Sequence, residues 1–296
     1  MRWTAWLVLV ASLLLWSGNW IVARAVREDI APGIATVGRL LIVLAILLPF
    51  AVSGLIRKWR DLRSKDLAIL AALGFTGGGV HLGLQWLGLH YTTATSGILY
   101  LSTTPVFILL MAIPLGERIG PRQWLGVLIS FCGVLLIATR GEPATLSFNV
   151  GDLMALASMM MWAGYTVLLR LRRDPLDTVE LLVMVCGFGF VFMAPWLTWE
   201  LVFNPKIELG RPGVLAVLYS AIGSLLLAYA GWSYVVKRIG AVRAGVTMHL
   251  MPAFGVVLSA IFLAEYPRWF HFAGIALILA GVTLSSLKAS SVSSSR

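Results

Sequence analysis

Residues 4–23, TAWLVLVASLLLWSGNWIVA, run for twenty positions without a charged side chain. A helix rises 1.5 Å per residue, so this run spans about 30 Å, the hydrocarbon thickness of a bilayer. Further apolar runs follow near 32–52, 67–89, 94–114, 122–139, 151–170, 179–203, 212–235, 242–264 and 268–287. The pattern predicts an all-α integral membrane protein with ten transmembrane helices. Arg2 ahead of the first run imitates a signal peptide, but the apolar stretch outlasts an h-region and nine more follow it, so a retained first span is expected.

Composition agrees with a lipid environment. The chain is 59% hydrophobic and 12% charged, with a mean hydropathy of +0.90, outside the range of soluble globular domains. A net charge of +10 does not imply nucleic acid, because the basic residues punctuate apolar runs instead of forming a face. With the N-terminus in the cytoplasm, Arg57, Lys58, Arg60, Arg63, Lys65, Arg170, Arg172, Arg173, Lys237, Arg238 and Arg243 fall on the inner side. Only Arg24, Arg27, Arg140, Lys206, Arg211 and Arg268 fall outside, so both termini are expected in the cytoplasm. The links 53–66 and 204–211 are too short to bury a core of their own. Cys132 and Cys186 each lie in an apolar run with no partner at ligand spacing, which predicts two free, buried thiols.

Shifting the sequence against itself by 146 residues pairs Trp16 with Trp162, Gly18 with Gly164, Arg24 with Arg170, Pro49 with Pro195, Gly77 with Gly223 and Trp86 with Trp232. One extra residue pairs Ala94 with Ala241, Pro105 with Pro252 and Phe107 with Phe254. A second pairs Glu117 with Glu265, Gly126 with Gly274 and Gly133 with Gly281. Residues 1–145 and 146–296 therefore read as two repeats. Each holds five spans, an odd number, so the second enters the membrane with the opposite orientation. Inverted repeats favour alternating access around a site near the bilayer midplane.

Together, the WSGNW and WAGY motifs of spans 1 and 6, the lone Arg39 of span 2, Pro105 and Pro252, and Glu117 and Glu265 before glycine-rich spans 5 and 10 resemble the EamA branch of the drug/metabolite transporter superfamily. The resemblance covers essentially the whole chain. It implies a ten-helix basket around a central cavity in the bacterial inner membrane. In length and aromatic motifs the chain looks most like the YddG-type amino-acid exporters, which implies export of aromatic and other neutral amino acids as the small-molecule substrate.

The chemistry open to such a carrier is limited by what lies inside the spans. All 13 acidic residues fall in links or near span ends, which disfavours a carboxylate proton or sodium relay and a trap for cationic drugs. Arg39 has Val185 as its repeat counterpart, so it either meets a substrate carboxylate or bonds carbonyls of a neighbouring helix. His81 and Gln85 share one helix face after the glycine stretch GFTGGG, and His249 precedes Pro252; each imidazole either lines a polar cavity or bonds a neighbour. Trp16, Asn19 and Trp20 in span 1 match Trp162 and Tyr165 in span 6, with Tyr100 and Tyr229 adding aromatic surface. Such rings are candidate cavity walls that hold an ammonium group by cation–π attraction, or they pack helices. Pro105 and Pro252 are candidate kinks for gating, or fold-shaping bends. The four histidines are scattered, so no metal site, cofactor or catalytic residue is expected, and an enzyme is disfavoured. A monomer is expected. Lipid flipping, or carriage of another metabolite or drug, stays open as an alternative.

Overall fold

A computed structural model describes residues 2–26, 28–91, 94–116, 119–139, 141–142, 150–203, 210–262 and 268–286. Glu117 and Glu265 lie outside the described residues, and so does the side chain of Tyr100. Among the described residues the secondary structure is helical and contains no strand, as lipid requires of a chain that cannot leave backbone groups unpaired.

The helices are α1 (Arg2–Ala25), α2 (Pro32–Lys58), α3 (Ser64–Leu73), α4 (His81–Tyr91), α5 (Ala94–Ala112), α6 (Pro121–Ala138), α7 (Val150–Leu171), α8 (Thr178–Phe203), α9 (Arg211–Tyr219), α10 (Ala228–Ile239), α11 (Ala241–Thr247), α12 (Leu250–Phe262) and α13 (Trp269–Ser286). Proline opens α2 and α6, where its missing N–H is not needed. Among the described residues, six helical stretches are long and apolar enough to cross a bilayer by themselves: Trp3–Ala23, Pro32–Asp61, Ser64–Tyr91, Val150–Leu171, Thr178–Phe203 and Arg211–Ile239. Large apolar side chains on the outside, among them Phe50, Ile56, Leu128, Val191 and Phe203, form the surface such a bundle presents to lipid. Cys186 is buried as expected, but Cys132 is not: it lies on the exposed side of α6, facing away from the core.

Wide π-helical turns interrupt two of these stretches. Gly74–Val80 joins α3 to α4, and Ser220–Leu227 joins α9 to α10. Their starting residues stand 146 positions apart, the offset of the sequence repeat. The packing also has an exchange symmetry: α1 lies against α10 and α12, while α7 lies against α4 and α5, and α2 pairs with α8 as α6 pairs with α13.

Close approach explains the glycines at the α6–α13 crossing. A Cβ on Gly126 would lie 2.5 Å from the Gly281 carbonyl oxygen, and one on Gly133 would lie 2.6 Å from that of Gly274. These four glycines are the ones the repeat pairs with one another.

Two carboxylates of α8 fasten it to α2. Near one end, Glu180 forms a reciprocal cap with Asp177 and receives the Lys58 ammonium at 2.6 Å. Twenty residues on, about 30 Å along the helix, buried Glu200 accepts the backbone N–H groups of Gly33 and Ile34, both at 2.9 Å, and the Trp196 indole N–H at 2.7 Å. Glu200 thus caps α2, whose own N-cap residue, Ala31, has no side-chain acceptor. In the α7–α8 link, Arg172 grips Asp174 at 2.5 and 2.9 Å. Burial works against the charge of Asp174, yet the guanidinium wins and holds its carboxyl below the ordinary carboxylate range.

Candidate functional site

The helices converge on a cluster of rings. Trp162 of α7 is its hub, with ring centroids 5.0 Å from Trp16, 5.0 Å from Tyr165, 5.0 Å from Tyr229 and 5.1 Å from His81. Trp232 of α10 closes the group at 5.3 Å from Trp16. Most pairs meet edge to face or tilted, the arrangement ring quadrupoles favour.

Buried indole and phenol groups need acceptors, and the π-helical turns supply two of them. Trp16 Nε1 donates to the Ser224 carbonyl at 3.0 Å and Tyr229 Oη donates to the Gly77 carbonyl at 2.8 Å. A π turn shifts the backbone ladder by one residue, which frees carbonyls for such use. Trp162 Nε1 points at Met248 Sδ, 3.2 Å away, and Trp232 Nε1 donates to Thr166 Oγ1 at 3.1 Å.

Between these rings lies a cavity of about 30 Å³ lined by Trp16, Asn19, Trp20, His81, Leu82, Gln85, Leu101, Met159, Trp162, Ser224, Tyr229, Met248 and Met251. It holds a water molecule or two and falls well short of the roughly 300 Å³ of a small-ligand pocket. The chamber is therefore closed in this conformation, and a metabolite enters only if the wall moves. Two of its polar atoms are held by neighbours: His81 Nδ1 is 2.8 Å from Ser158 Oγ and 2.9 Å from the Ser158 carbonyl, while Asn19 Oδ1 accepts from Ser220 at 2.7 Å.

Trp16, Asn19, Trp20, His81, Gln85, Trp162 and Tyr229 thus line one cavity, and the other candidates with described side chains lie outside its lining. Tyr165 stacks behind Trp162, 29° from coplanar, without lining the cavity. His249 is fully buried against Ser130 of α6. Tyr100 belongs to α5, which is as much as the described atoms say of it. Pro105 is buried within α5. Pro252 stands in the first turn of α12, just after a break at Met248–His249, and the Met248 carbonyl it would have taken accepts the Met251 N–H at 3.0 Å instead.

Arg39 is fully buried on the face of Trp86, 5.0 Å from the ring centroid, and among the described residues bonds no carbonyl of a neighbouring helix; its one hydrogen bond there runs from Nη2 to Thr36 Oγ1 at 3.4 Å. The sequence reading missed the three methionines of the lining, Met159, Met248 and Met251. Thioethers pack adaptably against ring edges, but spacing alone does not tell a core methionine from a cavity one.

A membrane-spanning helical bundle closed around a chamber of aromatic and flexible apolar side chains is built as a carrier of small molecules. The chain belongs to the EamA-like transporter family, whose model matches residues 3–139 and again 149–287. It is 28% identical to an uncharacterized transporter of Archaeoglobus fulgidus over 95% of this chain and 97% of that one. Likeness to the uncharacterized transporter YetK of Bacillus subtilis is 27% over 96% of this chain and 87% of that protein. A protein of Streptantibioticus cattleyicolor named "Probable terminal-alkyne amino-acid exporter" is 27% identical over 75% of this chain and 74% of its own. A solved crystal structure superposes with a TM-score of 0.75 over 96% of this chain and 97% of the other, at 23% identity, a likeness of fold.

Proposed function

We propose that this transporter exports neutral amino acids, aromatic ones among them, by alternating access between two inverted five-helix repeats, spans 1–5 and 6–10. In this reading it sits in the bacterial inner membrane with both termini cytoplasmic and works as a monomer. The observation that carries it is the chamber wall. Its lining is aromatic and thioether surface with Asn19, His81, Gln85 and Ser224 as polar points, and no carboxylate is among the lining residues. That chemistry suits an apolar side chain and leaves a cationic drug without a counter-charge.

The repeat reading is supported by the exchange symmetry of the packing, by π-helical turns at one offset and by a family model that fits each half. An amino-acid exporter among the relatives, and the resemblance to YddG-type exporters, favour the substrate class. Lacking a lining carboxylate, the carrier runs down the substrate's own gradient.

Purified protein in liposomes tests this. Counterflow of labelled L-phenylalanine or L-leucine should exceed that of empty liposomes, and Trp16→Ala or Trp162→Ala should reduce it while the protein stays folded. Rates equal to empty liposomes across a broad panel of amino acids would refute the substrate assignment.

A further inference from the structure

Arg39 is the buried group that the packing leaves unexplained. Its exposure is 0%, and Nε and Nη1 find no hydrogen-bond partner among the described residues. A guanidinium carries five N–H donors, of which these two nitrogens hold three. The contact to Thr36 Oγ1 is long, and the face of Trp86 offers attraction without accepting those donors. Glu200, at the start of the same helix, is engaged in capping α2. An unpaired charge inside a membrane protein is costly, and a purely structural arginine at this depth would use its fork on carbonyls or an acid.

Its position points to the chamber. Trp86, which carries the guanidinium on its face, follows Gln85 on α4, and Gln85 and His81 of that helix line the cavity. Arg39 thus packs on the side chain that follows a cavity-lining glutamine in sequence, on the helix that brings His81 and Gln85 to the wall. The opposite half has Val185 at the matching position, fully buried with its carbonyl packed toward Gly78.

We infer that Arg39 is the carboxylate anchor of this chamber: on opening, its fork pairs with the single carboxylate of a zwitterionic solute whose ammonium group rests against the ring faces. This rests on the amino-acid reading above and adds a selection rule to it. The carrier accepts an amino acid and rejects the same molecule with its carboxylate neutralised. Because only one half supplies the charge, the solute binds in one orientation.

The test uses counterflow of labelled L-phenylalanine into liposomes, with unlabelled L-phenylalanine or L-phenylalaninamide as competitor. For the wild type the amide should compete at least about tenfold less well, as expected where a buried charge-assisted bond is lost. Arg39→Met should carry phenylalanine about tenfold more slowly, and acid and amide should compete equally for what remains. It should melt no lower than the wild type, since removing an unpaired buried charge relieves a penalty. Should Arg39→Met fail to fold, Arg39→Lys keeps the charge while losing the fork, and its KM for phenylalanine should rise several-fold with kcat nearly unchanged.

Equal competition by amide and acid on the wild type overturns the anchor and leaves the transport reading standing. So does an Arg39→Met protein that slows flux while keeping the preference for the acid, the mark of a structural arginine or a resident ion. An unchanged KM in Arg39→Lys also overturns it. If no amino acid is exchanged at all, both readings fall.

Discussion

Replacing Glu200 by alanine leaves two backbone N–H groups at the start of α2, Gly33 and Ile34, without their acceptor, and frees the Trp196 indole as well. Glu200 is 3% exposed, so water reaches the orphaned donors poorly. Each of the two backbone donors costs about 1–1.5 kcal/mol when unsatisfied, and loss of a carboxylate from a helix N-terminus adds about 0.5–1 kcal/mol. The sum is about 3 kcal/mol. Glutamine keeps the shape and one acceptor but turns an amide group toward the second N–H, so it should cost about half as much. Unfolding entropy is about 2 cal/mol/K per residue, so these losses lower Tm by about 5 °C for Glu200→Ala and 2–3 °C for Glu200→Gln. Thermal melts of purified protein in one detergent, read by intrinsic fluorescence and by loss of the monodisperse species, measure both. The far end of α8 supplies the comparison: Lys58 is 29% exposed in its bridge to Glu180, and Lys58→Met should shift Tm by no more than about 1 °C. If both Glu200 variants melt within a degree of the wild type, α2 is not held by this cap.

Gly126→Leu should abolish folded, monodisperse protein on size exclusion, because its Cβ alone would meet the Gly281 carbonyl oxygen at 2.5 Å. Asp174 gives a pH signature: its folded value lies below the ordinary one, so its contribution is present above about pH 4 and is lost as pH falls through the folded value. The Tm gap between wild type and Asp174→Asn should therefore be constant from pH 5 to 7 and close below pH 4; a gap that widens on acidification refutes the sign. An imposed pH gradient should leave steady-state accumulation of phenylalanine unchanged, and uphill uptake lost in His81→Ala would show proton coupling instead.

Much of the architecture was legible because its causes are local. A run such as 4–23 must be helical in lipid whatever its neighbours are, and the proposed duplication rests on residues as rare as Trp16, Trp162, Pro105 and Pro252. Trp16 and Trp162 were picked out by symmetry and depth within the spans, and His81 and Gln85 by sharing one helix face. What escaped depends on tertiary geometry. Tyr165 has the same spacing signal as Trp162 but stacks behind it, and His249 looks like His81 in sequence yet turns to Ser130 on another helix. The π-helical turns leave no mark in an apolar pattern beyond the glycines that tolerate them. Cys132 sits among apolar neighbours as Cys186 does, and in a membrane protein an apolar neighbourhood does not separate the core from the lipid face.

The two fastenings of α8 to α2 have a bearing on the choice of membrane. Glu180 and Glu200 sit about 30 Å apart along the helix, close to the hydrocarbon thickness of an ordinary bilayer. Tied firmly at the Glu200 end and more weakly at the Glu180 end, the two helices resist sliding past one another to lengthen or shorten their apolar flank. A thicker bilayer must then be met by local thinning, and a thinner one by tilting the pair as a unit. The acyl-chain length of the host lipid thereby becomes a load on the carrier, and flux should peak where that load vanishes.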